Sequence, residues 1–237
     1  MNSAFGTIKY GREQVQFNVL YSARKTLGIE VYPDSSVVVK APLGIDSSEV
    51  QRRVFRRVRW IVRQQRYFRQ FDPRTPVRQF VGGETHLYLG RQFRLAISSG
   101  NQDSVKLTRG YFTVAVRGTV SSDKVKSLLD SWYAAKATAK FEEILTHRWP
   151  HFEKLGLSKP RMQTKYLKKR WGSLSRNGLL TLNTDLIRAP KECIDYVITH
   201  ELCHLQYHDH SAEFYRLLEK VLPDWEKRKH KLELTLA

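Results

Sequence analysis

Cysteines and long apolar runs are scarce in this sequence, and their scarcity excludes two classes of protein. Only two cysteines, Cys193 and Cys203, occur among the 237 residues, so a disulfide-stabilised fold is not expected. No stretch is long and apolar enough to span a membrane, and residues 1–7 lack the basic start and apolar run of a signal peptide. We therefore expect a cytoplasmic protein with no membrane partner.

Acidic residues are also scarce relative to basic ones. The chain has 23 acidic and 41 basic side chains, which gives a formal net charge of +18. An excess of this size predicts attraction to polyanions such as nucleic acid or nucleotides, and solubility alone is the other explanation. A phosphate-binding P-loop is excluded, because Gly82-Gly83 opens no helix with the required lysine.

The residues that carry chemistry are concentrated in His200-Glu201-Leu202-Cys203-His204. Two histidines four residues apart project from one helix face and can bind the same metal ion. Glu201 lies beside the first histidine, where a carboxylate can take a proton from a water molecule at the metal. Zinc (Zn²⁺) is the natural ion for imidazole ligands in a hydrolytic site. An apolar stripe at helical spacing predicts that the helix is buried, and it consists of Ile194, Val197, Ile198, Leu202 and Leu205.

A third metal ligand must lie downstream of the motif. On a continuing helix, His208 would stand in a straight row with the first two histidines, which does not suit a tetrahedral site. We therefore expect the helix to end near Asp209, a residue type that tolerates left-handed geometry, so that the turn brings His210 to the metal. The candidates in this region are His208, His210, Glu213, Glu219 and His230.

The motif is part of a longer pattern, which contains Arg170-Trp171-Gly172-Ser173, Leu182-Asn183, Leu186-Ile187-Arg188-Ala189-Pro190, Ile194-Asp195-Tyr196-Val197-Ile198, His200 to His204, His210-Ser211 and Phe214. This pattern resembles the YgjP-like metallopeptidases, small relatives of the SprT-like and minigluzincin zinc peptidases, over nearly the whole chain and most strongly over 166–230. The resemblance implies zinc binding by His200, His204 and His210 and a general-base role for Glu201. The family often has cysteine where this chain has Leu174, which removes no ligand. A metzincin is not expected, because Tyr207 replaces its glycine and no methionine follows.

Four further residues are candidates for supporting roles around the metal. Asp195 can accept a hydrogen bond from a ligand imidazole, although an acid near a helix start is also favoured by the helix dipole. Stabilisation of the oxyanion can be assigned to Tyr207, His208 or Tyr215, and the sequence does not choose among them.

The remaining patterns predict an α+β protein with an N-terminal β-rich part, 1–120, and a catalytic part, 121–237. The catalytic part is expected to be a compact, zincin-like helical core with a β-hairpin at Asn177-Gly178, ahead of the zinc-binding helix. The predicted elements are a small antiparallel sheet (15–21, 27–32, 36–41), a helix over about 47–71, hairpins within 87–97 and 105–116, a helix from Ser121 to about His147, and a strand near 162–168.

The predicted helix over 47–71 is basic, and no acid follows Glu49 in it. Arginine binds phosphate in a bidentate manner, and the aromatic residues Trp60, Tyr67 and Phe68 can stack on bases. A solvated face whose aromatic residues belong to the core is the alternative explanation. The candidate anion-binding residues are Arg52, Arg53, Arg56, Arg57, Arg59 and Arg63 in this helix, and Lys168, Lys169 and Arg170 before the hairpin.

Three functions follow from these observations. The first is a zinc-dependent metallopeptidase acting on a peptide or protein. The second is a nucleoside triphosphate pyrophosphohydrolase of the UTP type that uses the same zinc site, since some YgjP-like members are linked to nucleotide hydrolysis. The third is a DNA-associated protease, as among the SprT-like relatives, with nucleic acid bound through the basic surface.

Overall fold

The structure, a computed structural model, describes residues 3–11, 13–32, 34–69, 78–168 and 170–236. Within these ranges the chain forms five α-helices and three mixed sheets. Its contacts separate two units, Met1–Thr75 and Pro76–Ala237, which are described one after the other. None of the helices in these ranges is both long and apolar enough to cross a bilayer.

The first unit contains one sheet and one helix, which are β1 (Ser3–Tyr10), β2 (Glu13–Ser22), β3 (Gly28–Val31), β4 (Val37–Pro42) and α1 (Ser47–Arg69). The strand order in the sheet is β1-β2-β4-β3. Strands β2 and β4 pair in parallel, so the sheet is mixed and the predicted antiparallel sheet is wrong in this respect. The sequence did not predict β1, because Phe5 is 86% exposed and the strand lacks a clear alternation of apolar residues.

One apolar face of α1 holds this unit together. Val50, Val54, Val58 and Ile61 recur at helical spacing and are buried in one core with residues of the sheet. Each buried side chain of this kind contributes about 1.5–3 kcal/mol to stability. The helix was predicted over 47–71, and residues 70 and 71 lie outside the described ranges.

The second unit begins with a four-stranded sheet, which consists of β5 (Thr85–Tyr88), β6 (Arg91–Ser99), β7 (Ser104–Thr108) and β8 (Tyr111–Val116). The strand order is β5-β6-β8-β7, and β6 and β8 are parallel. The two hairpin turns of the sheet, Leu89-Gly90 and Arg109-Gly110, have positive φ at both residues, which matches the twist of the flanking strands.

A long helix, α2 (Ser122–Glu153), lies against this sheet. The Ser121 side chain caps it by accepting a hydrogen bond from the Lys124 N–H at 3.3 Å. The helix continues past the predicted end at about His147, because Trp149 and Phe152 are buried in the core of the unit.

The boundary between the parts of the chain differs from the predicted one at residues 120 and 121. The structure divides the chain near residue 75. The reason is that Leu95, Phe112 and Val114 of the β5–β8 sheet share one apolar core with α2. The sheet therefore belongs to the second unit.

The remaining elements form the part of the second unit that holds the candidate functional residues. They are β9 (Arg161–Lys165), β10 (Gly172–Leu174), β11 (Leu179–Asn183), a 3-10 helix (Thr184–Arg188), α3 (Lys191–Cys203), α4 (Ala212–Val221) and α5 (Trp225–Leu236). The three strands form a sheet of order β10-β11-β9, whose edge strand β10 lies against α3. Strands β10 and β11 pair as an antiparallel hairpin, while β9 pairs with β11 in parallel.

Candidate metal centre

Three imidazoles meet near the C-terminal end of α3, where His200 lies within the helix and His204 is its C-cap. The possible ligand nitrogens of His200, His204 and His210 all lie within 4.8 Å of one another, and the Nε2 atoms of His200 and His210 are 3.0 Å apart. Such a set can hold one metal ion. Among the described residues, no other group of three or more histidine, cysteine or acidic side chains lies close enough together to hold a metal ion. The other candidate ligands, His208, Glu213, Glu219 and His230, are not part of it.

The chain reaches His210 by ending the helix early. Helix α3 ends at Cys203, so the predicted end near Asp209 is wrong. The N–H groups of Leu205 and Gln206 donate to carbonyls three residues back, at 3.0 and 3.1 Å, which tightens the last turn. Asp209 is not among the described residues with positive φ, so left-handed geometry at Asp209 is not what turns the chain.

Hydrogen bonding and burial prepare the imidazoles for a metal ion. The Nδ1–H of His204 donates to the carbonyl of Tyr207 at 2.9 Å, which leaves the Nε2 lone pair for a ligand bond. Burial lowers the pKa of His200 to about 3, with further contributions from His204, His210 and Lys229, and burial also lowers the pKa of His210. Neutral imidazole is the form that binds metals. The residues present therefore fit a metal ion that prefers nitrogen ligands.

Phe214 lies against all three histidines, a role that the sequence did not reveal. Its ring centroid is 4.9, 4.7 and 4.8 Å from the rings of His200, His204 and His210, and its side chain is fully buried. It faces them because α4 begins just after His210, with Ser211 as its cap. We infer that Phe214 fixes the ring orientations and excludes water from one side of the cluster.

Glu201 is buried beside the cluster and fits against a glycine. A Cβ atom on Gly172 would lie 2.8 Å from both Cγ and Oε1 of Glu201, closer than real Cβ contacts allow. Burial raises the pKa of Glu201 to about 7, while the charge of Arg170 and the N–H of Leu174 oppose the rise. The sequence pointed to Gly172 only as part of a family pattern and not as the space that Glu201 occupies.

A cavity of about 200 Å³ opens next to Glu201 and His200. Trp171 and Gly172 line it from the hairpin side, and Lys229 and Glu233 of α5 line it from another side. A substrate group placed next to Glu201 would therefore meet both a cationic and an anionic side chain.

Asp195 accepts its hydrogen bonds from arginines and not from a histidine, which was one of the two roles considered for it. Its carboxylate accepts hydrogen bonds from Arg148 of α2 and from Arg228 of α5, the latter at 2.6 Å. The His200 Nδ1 is buried without a hydrogen-bond partner in the described structure. The role of Asp195 is therefore to join three helices of the second unit through a mostly buried ion-pair network.

Replacing Asp195 by alanine is expected to destabilise the protein by about 3–5 kcal/mol, because two mostly buried guanidinium groups lose their partner. Urea unfolding followed by circular dichroism measures the change. Asp130→Ala is the matched control, since it breaks an exposed pair with Lys126 and should cost less than about 1 kcal/mol. Equal losses in the two variants would contradict a structural role specific to Asp195.

The three candidates for oxyanion stabilisation occupy different places. Tyr207 contributes its carbonyl to His204, and its side chain lines a separate cavity with Leu155 and Lys220. His208 is exposed and outside the cluster. The ring of Tyr215 lies 6.2 Å from that of His210, and Tyr215 is therefore the candidate next to a ligand imidazole.

The predicted anion-binding residues fall into two groups. Lys168 and Arg170 are exposed near the hairpin, and Arg170 also lines the cavity beside Glu201. Lys169 lies outside the described residues. The others are exposed on α1, in the first unit, and are Arg52, Arg53, Arg56, Arg57, Arg59 and Arg63. Anion binding by both groups stays a prediction.

Comparison with known proteins identifies the family. The sequence matches the YgjP-like metallopeptidase domain over residues 25–235. The crystal structure of the metallopeptidase zymogen abylysin of Pyrococcus abyssi is 29% identical, over 38% of this chain and 87% of that chain, with a TM-score of 0.34. That of the zymogen jannalysin of Methanocaldococcus jannaschii is 20% identical, over 41% and 97%, with a TM-score of 0.36. A search of curated proteins gave no match. Because the family match spans most of the sequence, this chain belongs to the YgjP-like family of metallopeptidase domains.

Proposed function

We propose that this protein is a zinc-dependent metallopeptidase in which His200, His204 and His210 hold the metal and Glu201 is the general base. The observation that carries the proposal is the convergence of three imidazoles, with ligand nitrogens within 4.8 Å, beside a buried carboxylate. Zinc is favoured over other ions because the donor set is all imidazole and the second nitrogen of His204 is already hydrogen-bonded.

The chain's own residues supply the proton transfer and the orientation. Zinc, when bound, polarises a carbonyl group and makes a coordinated water easier to deprotonate. Glu201 takes the proton of the attacking water and returns it to the leaving amine. The contact with Gly172 fixes the carboxylate, so that little reorganisation is needed during the reaction. Phe214 holds the imidazoles and keeps one side of the cluster dry.

The edge of the β10–β11 hairpin is the proposed binding place of the peptide. In the structure β11 lies between two strands, whereas β10 is an edge strand next to α3. A peptide added to β10 gains backbone hydrogen bonds with little preference for its sequence, and it would pass close to Glu201.

Nucleoside triphosphate hydrolysis is not proposed for this site. Membership of a metallopeptidase family implies a peptide or protein as substrate.

Replacing His210 by alanine is expected to weaken zinc binding by at least about 100-fold, since loss of a direct ligand costs more than the 10–100-fold loss of a supporting residue. Competition with a chromogenic chelator measures the affinity. His208→Ala is the matched control, because this exposed histidine lies outside the cluster and should bind zinc like the wild type. Unchanged affinity in His210→Ala would rule out the proposed ligand set.

A further inference from the structure

The exposed side of α1 is a strongly charged surface that the proposed peptidase does not use. The helix contains eight arginines and one acidic residue, Glu49. Its opposite side is buried in the core of the first unit through Val50, Val54 and Val58. Packing therefore accounts for the buried valines of α1 but not for its exposed arginines.

Five of these arginines have no ion pair within the described ranges. Glu49 accepts hydrogen bonds from Arg52 and Arg53, and Glu13 accepts two from Arg66, the shorter at 2.6 Å. The five that are left are all exposed. One of them, Arg69, is the last residue of the helix, and the other four define the arginine face, which consists of Arg56, Arg57, Arg59 and Arg63.

The arginine face is unfavourable for an isolated helix. Like charges three and four residues apart repel, and Arg56, Arg59 and Arg63 have this spacing. Helix α2 avoids such repulsion by placing acids at the same distances, as in the pairs Lys126–Asp130 and Lys140–Glu143. The repulsion on α1 would be relieved by a bound polyanion.

A groove next to the arginine face adds one aromatic and two aliphatic side chains to the arginines that line it. It has a volume of about 480 Å³ and lies between Leu27 and Ile29 on one side and Arg56, Arg57 and Trp60 of α1 on the other. Trp60 is 41% exposed. Aromatic rings stack on bases of any type, and guanidinium groups bind phosphates in a bidentate manner.

We propose that the arginine face and the Trp60 groove bind single-stranded nucleic acid. From Arg56 to Arg63 the helix rises about 10 Å, which matches about three nucleotides of a stacked strand at roughly 3.4 Å each. A single strand is favoured over a duplex because stacking on Trp60 requires an unpaired base. It is favoured over an acidic protein because carboxylates would use the arginines but not the aromatic groove.

Fluorescence anisotropy with a labelled single-stranded oligonucleotide and the full chain tests this site. With three or four phosphate contacts, raising the salt concentration from about 50 to about 200 mM is expected to weaken binding by about 20- to 50-fold. Arg56→Glu with Arg59→Glu should weaken binding by more than about tenfold, and Trp60→Leu by about fivefold or more. Circular dichroism checks that these variants remain folded.

The matched control is Arg91→Glu with Arg94→Glu, which changes the net charge equally on the exposed surface of β6, in the second unit. If this control binds the oligonucleotide as tightly as the wild type, the result supports the proposed site. If it loses as much affinity as the variant of the arginine face, net charge alone explains the effect and the proposal is overturned. No binding at low salt, or equal binding of a polyglutamate peptide or of anionic vesicles, would also overturn it. Glu201→Gln should bind the oligonucleotide like the wild type, so the result is independent of the proposed peptidase activity.

Discussion

Replacing Glu201 by glutamine is expected to lower the rate of peptide cleavage by about 10²–10⁴-fold while zinc stays bound. Glutamine has nearly the same size and fits the same space against Gly172, but its amide does not accept the proton of the attacking water. The three histidines are unchanged, so the metal content should equal that of the wild type. Cleavage of a quenched fluorescent peptide and metal analysis of the same sample measure the two quantities.

Glu219→Gln is the control for this variant. Glu219 is an exposed acid on α4 that the structure leaves outside the metal group, so the same chemical change there should leave the rate unchanged. Full activity in Glu201→Gln would eliminate Glu201 as the base. Loss of zinc together with loss of activity would assign Glu201 to metal binding instead.

Replacing Gly172 by alanine is expected to lower the cleavage rate by about 100-fold without unfolding the protein. The added methyl group would lie 2.8 Å from the Glu201 side chain, so the carboxylate must move. A displacement of about 1 Å in a reacting group costs roughly this factor. The readouts are the cleavage rate, zinc content and thermal unfolding of the same preparation.

Two comparisons separate positioning of Glu201 from other effects of the methyl group. Gly82→Ala is the control glycine, because an added Cβ meets nothing within 4 Å there, and it should leave activity unchanged. If Gly172 acts through Glu201, alanine at 172 should have little further effect in the Glu201→Gln background. An equal loss in both backgrounds would show that the methyl group obstructs the substrate instead.

The sequence was sufficient for features that depend on local spacing. The four-residue interval between His200 and His204 predicted one helix face, and the structure brings both imidazoles together with that of His210. Alternation and turn residues likewise predicted most strands, including the hairpin turn at Arg109-Gly110. These signals are readable because each lies within a short segment.

The features that the sequence did not reveal depend on contacts between distant segments. Gly172 accommodates Glu201 across the interface of two elements, and no local pattern marks this contact. For Asp195 the sequence offered either a hydrogen bond from a ligand imidazole or a favourable place near the helix start, whereas its partners are Arg148 and Arg228, which lie 47 and 33 residues away. The parallel pairing of β2 with β4 was missed for the same reason, since alternation identifies a strand but not its neighbour.

The reaction class is tested most directly by incubating the zinc-loaded protein with one mixture of peptides and nucleoside triphosphates and identifying the products by mass spectrometry. A zinc peptidase should generate new peptide termini, absent with Glu201→Gln, and leave the nucleotides intact. Loss of pyrophosphate from a nucleotide with all peptides uncleaved would contradict the proposal and assign the histidine cluster to phosphoanhydride hydrolysis.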